Sequence, residues 1–509
     1  MRRTVLDDFE KTVCDNIDKI ALIHNDTEIN FGELQSRSKE LGKFIVHRTK
    51  GVTNKPIVVL LPKSIEAVIA DIGILYSCNI FNNLDVKTPV PRLKNILDLL
   101  KPAAIITNTK YSDLIDYDNE KINVINIDTF CKEEDIDDQL LYSRLYNVID
   151  TDPFCIINTS GSTGTPKGVV LNYRSFFDFL SWATEKFSFD GSEIIGALSP
   201  IVFDIYDFEL CLMMTKGSTI VLLDSSLAVF PAKLLNELKH HNVNFIFWVP
   251  TIMVNIANMD LLTKISVDSL KTVWFAGEVF PTKQFNYWKK NLPKAVFVNL
   301  YGPIEITLDC IYYIVDRDFA DDEPLPIGFA CENTDILLLN DNNMQCEIGE
   351  DGEICVRGTS LAMGYYNNPE KTASVFVQNP LNSSYPELIY RTGDIAVINE
   401  RGEYIFKGRK DSLIKHQGYR IELGEIEHET VNNLKLAKNC CVVYKRKSKE
   451  IVMFYEKSSY EGIEIKKSLG KILPRYMVPT VYEELNELPR NTNGKIDRLK
   501  LTNLVNEED

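Results

Sequence analysis

Short apolar runs with β-strand character alternate with segments of helical periodicity along most of the chain. Helical periodicity is present at 64–77, 232–240 and 283–291, and the strand-like runs lie at 56–61, 103–107, 218–223, 244–248, 272–276 and 295–299. Strands that alternate with helices form parallel sheets whose faces the helices cover. The pattern therefore predicts an α/β fold built on parallel-rich sheets covered by helices.

A domain boundary is predicted close to residue 408. The segment Gly408-Arg409-Lys410-Asp411 follows an apparent hairpin at 396–407. About 100 residues remain after it, which is enough for a small α/β domain. We therefore expect a large N-terminal domain at 1–408 and a small C-terminal α/β domain at 409–509.

The composition argues against several classes of function. A net charge of −16 opposes general affinity for nucleic acid or anionic membrane. The most apolar runs, such as 245–256, are shorter than the ~18–20 residues of a membrane span, and no signal-peptide pattern opens the chain. The 11 cysteines form no C-x-x-C pair and the 6 histidines no H-E-x-x-H motif. We expect a cytoplasmic protein with reduced thiols, no nucleic-acid partner, no membrane insertion and no metal centre built from protein ligands alone.

A loop rich in serine, threonine and glycine joins two strand-like runs, 154–157 and 169–171. Its chemistry-bearing residues are Thr159, Ser160, Gly161, Ser162, Thr163, Gly164 and Lys167. Glycines allow backbone N–H groups to face an anion, hydroxyls add donors and the lysine adds a positive charge. The P-loop pattern G-x-x-x-x-G-K-[ST] is absent and no clear helix follows. This density of groups favours a phosphate-binding loop over an ordinary polar turn.

Six segments, in order along the chain, resemble the signature motifs of the adenylate-forming superfamily, which includes acyl-CoA synthetases, luciferases and peptide-synthetase adenylation domains. They are 159–168, 299–305, 352–358 with 364–366, 390–394, 408–420 and 493–497. The resemblance covers nearly the whole chain. It implies an enzyme that uses ATP to join a carboxylate to AMP.

The resemblance implies roles in a nucleotide site. Tyr301 would lie against the adenine ring, Asp394 would accept hydrogen bonds from both ribose hydroxyls, and Arg409 would lie near the ribose and phosphate. Glu305 would hold Mg²⁺, a hard cation that prefers oxygen ligands. The remaining residues expected at this site are Gly277, Glu278, Asn299, Gly302 and Ile304.

Ile304 departs from the superfamily pattern, in which a threonine is usual. That hydroxyl normally contacts phosphate, and losing one charge-assisted hydrogen bond costs roughly 1.5–3 kcal/mol. The backbone N–H of Ile304 remains, and another donor would have to replace the hydroxyl.

Lys495 is expected to be the catalytic lysine. By resemblance it reaches both the attacking carboxylate oxygen and the α-phosphate, where a fixed ammonium is typically worth about 10²–10³ in rate. Taken alone, it would be read as a surface lysine after a turn. The resemblance also implies that the C-terminal domain is mobile and rotates about a hinge at Asp411, because a lysine clamped for the first half-reaction would obstruct the second.

The segments 274–281 and 473–479 resemble the amino-acid-activating branch, closest to D-alanine–carrier protein ligases and stand-alone peptide-synthetase adenylation domains. In that branch an aspartate matching Asp204 pairs with the substrate's α-ammonium group, since a buried carboxylate needs a cationic partner. The alternative for Asp204 is a helix N-cap. The resemblance assigns the side-chain pocket to Phe247, Trp274, Ala276, Leu300, Leu308 and Asp309.

Two large aromatic rings in that pocket favour a small amino acid such as alanine, glycine or β-alanine, whereas Asp309 leaves a basic substrate open. The chain carries no Gly-Gly-x-Ser phosphopantetheine attachment motif, so the carrier protein is expected to be a separate chain. Two alternatives remain. One is an acyl-CoA or aryl-CoA ligase, which would share every ATP motif. The other is a degenerate, non-catalytic nucleotide-binding protein, which the isoleucine at 304 would fit.

Overall fold

The structure is a computed structural model that describes residues 4–115, 122–130, 138–160, 166–410, 413–490 and 496–507. They cluster into two units. The first unit comprises Met1–Val86, Leu100–Ile157 and Gly168–Gly408, and the second comprises Lys87–Leu99, Asn158–Lys167 and Arg409–Asp509. Because the second unit takes in two earlier segments, the division into domains at 1–408 and 409–509 stays a prediction.

The helices closely follow the predicted ones. The predicted helix at 64–77 is α3, which begins after Ser64, whose Oγ accepts a hydrogen bond from the Ala67 N–H at 3.3 Å. Such an N-cap satisfies one of the N–H groups left open at a helix start. The helices are α1 (Val5–Asn16), α2 (Phe31–Arg48), α3 (Ile65–Tyr76), α4 (Val90–Leu100), α5 (Asp138–Leu145), α6 (Tyr173–Lys186), α7 (Asp204–Lys216), α8 (Pro231–His240), α9 (Pro250–Asn258), α10 (Thr282–Asn291), α11 (Pro369–Val375), α12 (Leu423–His428), α13 (Gly462–Leu469) and α14 (Arg498–Glu507).

The strands are short, and many lie one after another with a helix between. They are β1 (Ile20–His24), β2 (Thr27–Asn30), β3 (Pro56–Val59), β4 (Ile80–Asn83), β5 (Ala104–Thr107), β6 (Asn123–Asn126), β7 (Pro153–Thr159), β8 (Lys167–Asn172), β9 (Ile194–Ala197), β10 (Thr219–Leu222), β11 (Phe245–Trp248), β12 (Thr272–Ala276), β13 (Val296–Tyr301), β14 (Ile311–Ile314), β15 (Phe329–Ala330), β16 (Thr334–Leu339), β17 (Gly352–Gly358), β18 (Gly364–Tyr365), β19 (Phe376–Gln378), β20 (Leu388–Ile398), β21 (Tyr404–Arg409), β22 (Leu413–His416), β23 (Tyr419–Glu422), β24 (Cys440–Lys445), β25 (Glu450–Glu456) and β26 (Val481–Leu485).

Two large sheets confirm the predicted α/β class with parallel-rich sheets. The nine-stranded sheet has the order β15-β14-β13-β12-β11-β9-β10-β1-β2, and its strands from β13 to β1 are parallel. The seven-stranded sheet has the order β18-β8-β7-β4-β3-β5-β6, with parallel pairing from β7 to β6. Parallel strands of this kind are usually covered on both faces, which accounts for their almost continuous apolar sequences.

The smaller sheets differ in pairing. A five-stranded sheet has the order β16-β17-β20-β19, with β21 also paired to β20. The second unit contains the hairpin β22-β23 and the sheet β24-β25-β26, in which β25 and β26 are parallel. Helix α12 and strands β24 and β25 bury a separate apolar core there, including Ile426, Val442 and Met453.

Helices α3 and α7 lie inside the main core of the first unit. Every residue of α7 from Ile205 to Met214 is buried, as is every residue of α3 except Glu66. Both helices nevertheless carry acidic residues. The Tyr206 hydroxyl of α7 donates to Asp71 Oδ2 of α3 at 2.6 Å, and Asn83 Nδ2 donates to the same oxygen at 3.1 Å. These bonds compensate part of the cost of burying the Asp71 carboxyl.

We predict that Asp71→Asn raises the free energy of unfolding at pH 8 by on the order of 2 kcal/mol. Burial raises the pKa of Asp71 from 3.8 to about 7. Between these two pH values the folded chain keeps a proton on Asp71 that the unfolded chain loses. The stability contributed by that proton is present below pH 3.8 and is lost as the pH rises to about 7. An amide keeps an oxygen for Tyr206 and Asn83 without titrating.

Urea unfolding of the wild type and the variant at pH 5 and pH 8 measures this effect. Asp26→Asn, at an exposed aspartate, is the control and should leave both values unchanged. If Asp71→Asn lowers stability by the same amount at both pH values, the Asp71 carboxyl does not contribute in the way described.

Candidate active site

The serine-, threonine- and glycine-rich loop joins two strands, as predicted. Strand β7 ends at Thr159 and strand β8 begins at Lys167, so a strand and not a helix follows the loop. Gly161, Ser162, Thr163 and Gly164 lie outside the described residues. Thr159 is buried, and its Oγ1 has no hydrogen-bond partner among the residues that the structure describes. Lys167 is buried at the start of β8.

Ser160 has a different environment from its neighbour. It belongs to the second unit, where its Oγ donates to the carbonyl of Arg420 and accepts from the N–H of Glu422, both at 2.9 Å. Arg420 and Glu422 are residues of strand β23. In this structure the Ser160 hydroxyl therefore bonds to backbone groups of strand β23.

Tyr301 and Asp394, the residues predicted for adenine and ribose, lie in direct contact. Tyr301 is the last residue of β13, Asp394 lies in β20, and the Tyr301 hydroxyl donates to Asp394 Oδ2 at 2.5 Å. Both residues are buried. Burial, together with the negative charge of Asp394, raises the pKa of Tyr301 well above its ordinary value, so this phenol stays a hydrogen-bond donor at neutral pH.

Glu305 lies in a short 3-10 turn, Ile304–Ile306, directly after that strand. Its side chain is fully buried, and the Tyr365 hydroxyl donates to its Oε1 at 2.7 Å. No group of three or more His, Cys, Asp or Glu side chains suited to a metal ion occurs in the described part of the chain. Mg²⁺ usually takes one or two protein carboxylates together with substrate phosphates and water. The single carboxylate of Glu305 fits that type of site.

The turn after β13 is shaped by a close backbone approach. A Cβ added at Gly302 would lie 2.0 Å from the Leu308 carbonyl oxygen and 2.5 Å from Asp309 Cα. Thr307 and Leu308 both have left-handed backbone, with φ of 56° and 68°. Glycine at 302 is therefore required for the chain to fold back and to bring Asp309 beside the end of β13.

Ile304, the residue that departs from the superfamily pattern, is half-buried and packs against the main hydrophobic core. Three residues later, Thr307 is fully buried, and its Oγ1 has no hydrogen-bond partner within the described ranges. Its left-handed backbone cannot be predicted from the sequence, so the sequence analysis did not identify Thr307 as a candidate site residue. A threonine two residues after the predicted metal ligand was the only available signal.

Gly277 and Glu278 directly follow β12, and Asn299 lies near the end of β13. Gly277 has φ of 88° directly after β12. Glu278 Oε2 accepts from both the backbone N–H and the hydroxyl of Thr251, in the first turn of α9. Asn299 Nδ2 donates to the Pro326 carbonyl at 2.7 Å. These contacts hold the backbone at the carboxyl ends of β12 and β13, where ligands usually bind in α/β sheets.

Asp204 is the first residue of the buried helix α7 and is itself half-buried. The N-cap position belongs to Phe203 and not to Asp204, and within the described part of the chain no side chain makes a capping hydrogen bond to this helix. The N–H groups at a helix start carry partial positive charge, which favours a carboxylate there.

The residues predicted for the side-chain pocket all lie in or beside adjacent strands. Phe247 of β11 pairs with Trp274 of β12, and Ala276 of β12 pairs with Leu300 of β13. These four residues, together with Leu308 and Asp309, are buried. The structure therefore brings the predicted pocket residues to one region of the nine-stranded sheet.

Trp274 is surrounded by aromatic rings and is fully buried. Phe208 stacks on it with a centroid distance of 5.4 Å and an interplanar angle of 20°, and Phe187 meets it edge-on at 4.8 Å. We call this group the aromatic cluster, whose further members are Phe179, Trp182, Phe189, Phe245 and Phe247. Sequence reasoning missed Phe208, although its spacing of four residues from Asp204 places both on one side of α7.

The other predicted residues are placed as follows. Arg409 ends strand β21 and is half-buried in the second unit. Asp411 and Lys495 lie outside the described residues, so the hinge and the catalytic lysine stay predictions. None of the described helices has the length and apolarity needed to cross a membrane.

The chain is similar to known proteins in both sequence and structure. The profile described as "AMP-binding enzyme" matches residues 9–366. Zwittermicin A synthase ZmaJ of Bacillus cereus is 29% identical over 96% of this chain and 93% of its own length. Delta-poly-L-ornithine synthetase of Acinetobacter baumannii is 31% identical over 95% of this chain, which spans 35% of that protein. Tyrocidine synthase 1 of Brevibacillus parabrevis is 28% identical over 95% of this chain, which spans 43% of that protein.

Among solved structures, the adenylation domain AlmE of Vibrio cholerae, crystallised with glycyl-adenosine-5′-phosphate, has a TM-score of 0.83. The likeness covers 98% of both chains at 21% identity. It confirms the fold, including the presence of a C-terminal subdomain.

We predict that Gly302→Ala destabilises the protein by about 3 kcal/mol, since overpacking against backbone forces the chain apart. The added methyl would displace Leu308 and Asp309 and, with them, the turn that carries Glu305. The free energy of unfolding measured in urea and the adenylation activity should both decrease. Gly470→Ala is the matched control: φ there is −63°, and the nearest atom, the Lys466 carbonyl oxygen, is 3.3 Å away. Equal stability of the two variants would contradict the close approach.

Proposed function

We propose a function from the premise that this chain belongs to the AMP-binding enzyme family: it activates a small amino acid as aminoacyl-AMP and transfers it to the phosphopantetheine thiol of a separate carrier protein. That the chain is an AMP-forming ligase that uses ATP follows from the family and its relatives. The observation that carries the amino-acid assignment is Asp204, a half-buried carboxylate at the start of a buried helix, four residues before Phe208 of the aromatic cluster.

The reaction has two half-reactions. In the first, a carboxylate oxygen attacks the α-phosphorus of ATP, a new P–O bond forms, and pyrophosphate leaves. In the second, the thiol sulfur attacks the carbonyl carbon of the adenylate, AMP leaves with the pair of electrons of the broken C–O bond, and the thiol proton is released. Lys495 is proposed to stabilise the charge that develops on the phosphate in the first step.

The nucleotide is proposed to bind at the carboxyl ends of β12 and β13. Tyr301 would offer an aromatic face to adenine, and the Asp394 carboxylate would accept from the ribose hydroxyls. A carboxylate has about four acceptor positions, so the bond from Tyr301 is compatible with that role. Thr159 and Lys167, with the loop between them, would bind the phosphates. By the family resemblance, Arg409 would lie near the ribose and phosphate.

Glu305 is proposed to hold Mg²⁺ with the phosphate oxygens of the nucleotide. The ion would neutralise charge on the phosphates when bound. Thr307 is proposed to supply the hydroxyl that Ile304 lacks. Support comes from its buried Oγ1, for which the described part of the chain offers no hydrogen-bond partner. This assignment argues against a decayed, non-catalytic protein.

The substrate is proposed to be small because large rings fill the space around Trp274, a residue predicted for the side-chain pocket. Seven aromatic side chains lie in ring contact with Trp274, and together with it they form the aromatic cluster. Glycine, alanine and β-alanine would fit with little rearrangement. Asp204 would pair with the ammonium group of the substrate, and this pairing distinguishes the proposal from a ligase for fatty or aryl acids.

We expect amino-acid-dependent exchange of pyrophosphate into ATP, strongest with small amino acids, and a loss of about 10²–10³ in this exchange for Lys495→Ala. Lys495→Ala should still bind ATP, because its proposed role is at the transition state. Lys500→Ala, at an exposed lysine of α14, serves as the control and should exchange normally. Exchange with fatty or aryl acids alone would refute the amino-acid assignment. Undiminished exchange by Lys495→Ala would refute the role of that lysine.

We also predict that Trp274→Leu widens the substrate range. Removing an indole from the aromatic cluster should raise exchange with leucine or valine at least tenfold relative to alanine, at a stability cost of about 3 kcal/mol. Trp288→Leu is the matched control, because Trp288 is equally buried but belongs to another core cluster. It should cost similar stability without altering the preference. An unchanged preference in Trp274→Leu would show that Trp274 does not limit substrate size.

A further inference from the structure

Lys63 makes an unusual set of contacts in the first unit. It lies between strand β3 and the N-cap of helix α3, and it is half-buried. Its Nζ donates to three consecutive backbone carbonyls: Ala197 at 2.8 Å, Leu198 at 2.9 Å and Ser199 at 3.2 Å. An ammonium group has three N–H donors, so a single short segment of chain occupies all of them.

That segment is the connection between strand β9 and helix α7. Strand β9 ends at Ala197 and α7 begins at Asp204. The connection is tight, since the Phe203 N–H donates to the Pro200 carbonyl at 3.2 Å and the Tyr206 N–H donates to the Phe203 carbonyl at 3.1 Å. Lys63 therefore holds the backbone only a few residues before Asp204, the first residue of the helix.

Lys63 also acts on the helix itself through Glu209. Glu209 is fully buried in α7, and neither of its carboxyl oxygens has a hydrogen-bond partner among the described residues. A buried carboxyl without such a bond is costly. Desolvation raises the pKa of Glu209, and the positive charge of Lys63 opposes that rise. Desolvation lowers the pKa of Lys63, and the charges of Glu209 and Asp224 oppose that fall. Lys63 thus supplies the charge that compensates an acid one turn beyond the start of α7.

We propose that Lys63 is a positioning residue for recognition of the substrate amino group: it fixes the β9–α7 connection and the first turns of α7, and so holds the Asp204 carboxylate in place. The inference rests on the proposed function, because it assumes that Asp204 binds the ammonium group of an amino acid. Lys63 itself does not touch the substrate. Its loss should weaken binding of the amino acid and leave the nucleotide-binding residues in place.

The test compares KM values for amino acid and for ATP in pyrophosphate exchange. Lys63→Met should raise KM for the amino acid at least tenfold, with KM for ATP within about threefold of the wild type. Lys63→Arg, which keeps several N–H donors and the charge, should recover most of the amino-acid affinity. Lys19→Met is the matched control: Lys19 is also half-buried, and its Nζ donates to the Gly191 carbonyl at 2.7 Å, before the other end of β9. It should leave both KM values near those of the wild type.

A second variant separates positioning from stability. Lys63→Met leaves Glu209 without its cation and destabilises the fold, so Lys63→Met with Glu209→Gln removes both charges and should restore thermal stability. If Lys63 has a positioning role, this double variant still shows the raised KM for the amino acid, because the three carbonyl bonds are absent. If stability and both KM values recover together, Lys63 is merely structural and the proposal is wrong.

The outcomes also distinguish this inference from the proposed function. If the wild type catalyses pyrophosphate exchange only with carboxylic acids that have no amino group, both the proposed function and the inference about Lys63 are wrong. If the wild type exchanges with an amino acid and Asp204→Asn abolishes this, the proposed function stands. In that case, an unchanged amino-acid KM in the folded double variant overturns the inference about Lys63 alone.

Discussion

A helix that is buried on every side must find a partner for each polar side chain that it carries. Helix α7 brings a phenol and several carboxyl groups into the core of the first unit, and the structure compensates each one differently. Tyr206 donates to Asp71, Asp207 accepts from the Cys155 thiol at 3.4 Å, and Glu209 is compensated by the charge of Lys63. Burial raises the pKa of Asp207 well above its ordinary value, and the charges of Asp71 and Asp204 add to the rise. Asp204, at the start of α7, is the one carboxyl group of this helix that is half-buried.

Under the proposed function, the nine-stranded sheet would carry residues for both the nucleotide and the amino acid. The parallel strands β11, β12 and β13 end at Trp248, Ala276 and Tyr301, and ligands of α/β sheets bind beyond such carboxyl ends. Phe245 and Phe247 of β11 and Trp274 of β12 belong to the aromatic cluster. The loops that follow β12 and β13 carry the residues proposed for the nucleotide. The close approach at Gly302 packs the backbone of Leu308 and Asp309, predicted for the side-chain pocket, against the end of β13 that precedes Glu305.

Much of the secondary structure is predictable, because each element has a local signal. The predicted strand at 272–276 is β12 itself, and the helices predicted at 232–240 and 283–291 begin one residue earlier than expected. Family motifs likewise point to Tyr301 and Asp394, which are in contact despite their separation along the chain. Lys63 and Asp71 had no such signal. Their roles arise from contacts across many residues, such as the bond between Tyr206 and Asp71, which a single sequence does not encode locally.

Under the proposed function, the aromatic cluster would limit the size of the substrate in one direction only. Filled space excludes a large side chain by overlap, which costs several kcal/mol in a packed interior. An apolar pocket gains just about 1–3 kcal/mol from one additional methylene group, so contact with Trp274 and Ala276 would discriminate weakly between glycine and alanine. Under the proposed function, selection among small amino acids must therefore come from the placement of the ammonium and carboxylate groups. That placement depends on the position of Asp204, and the contacts that fix the start of α7 lie outside the pocket itself.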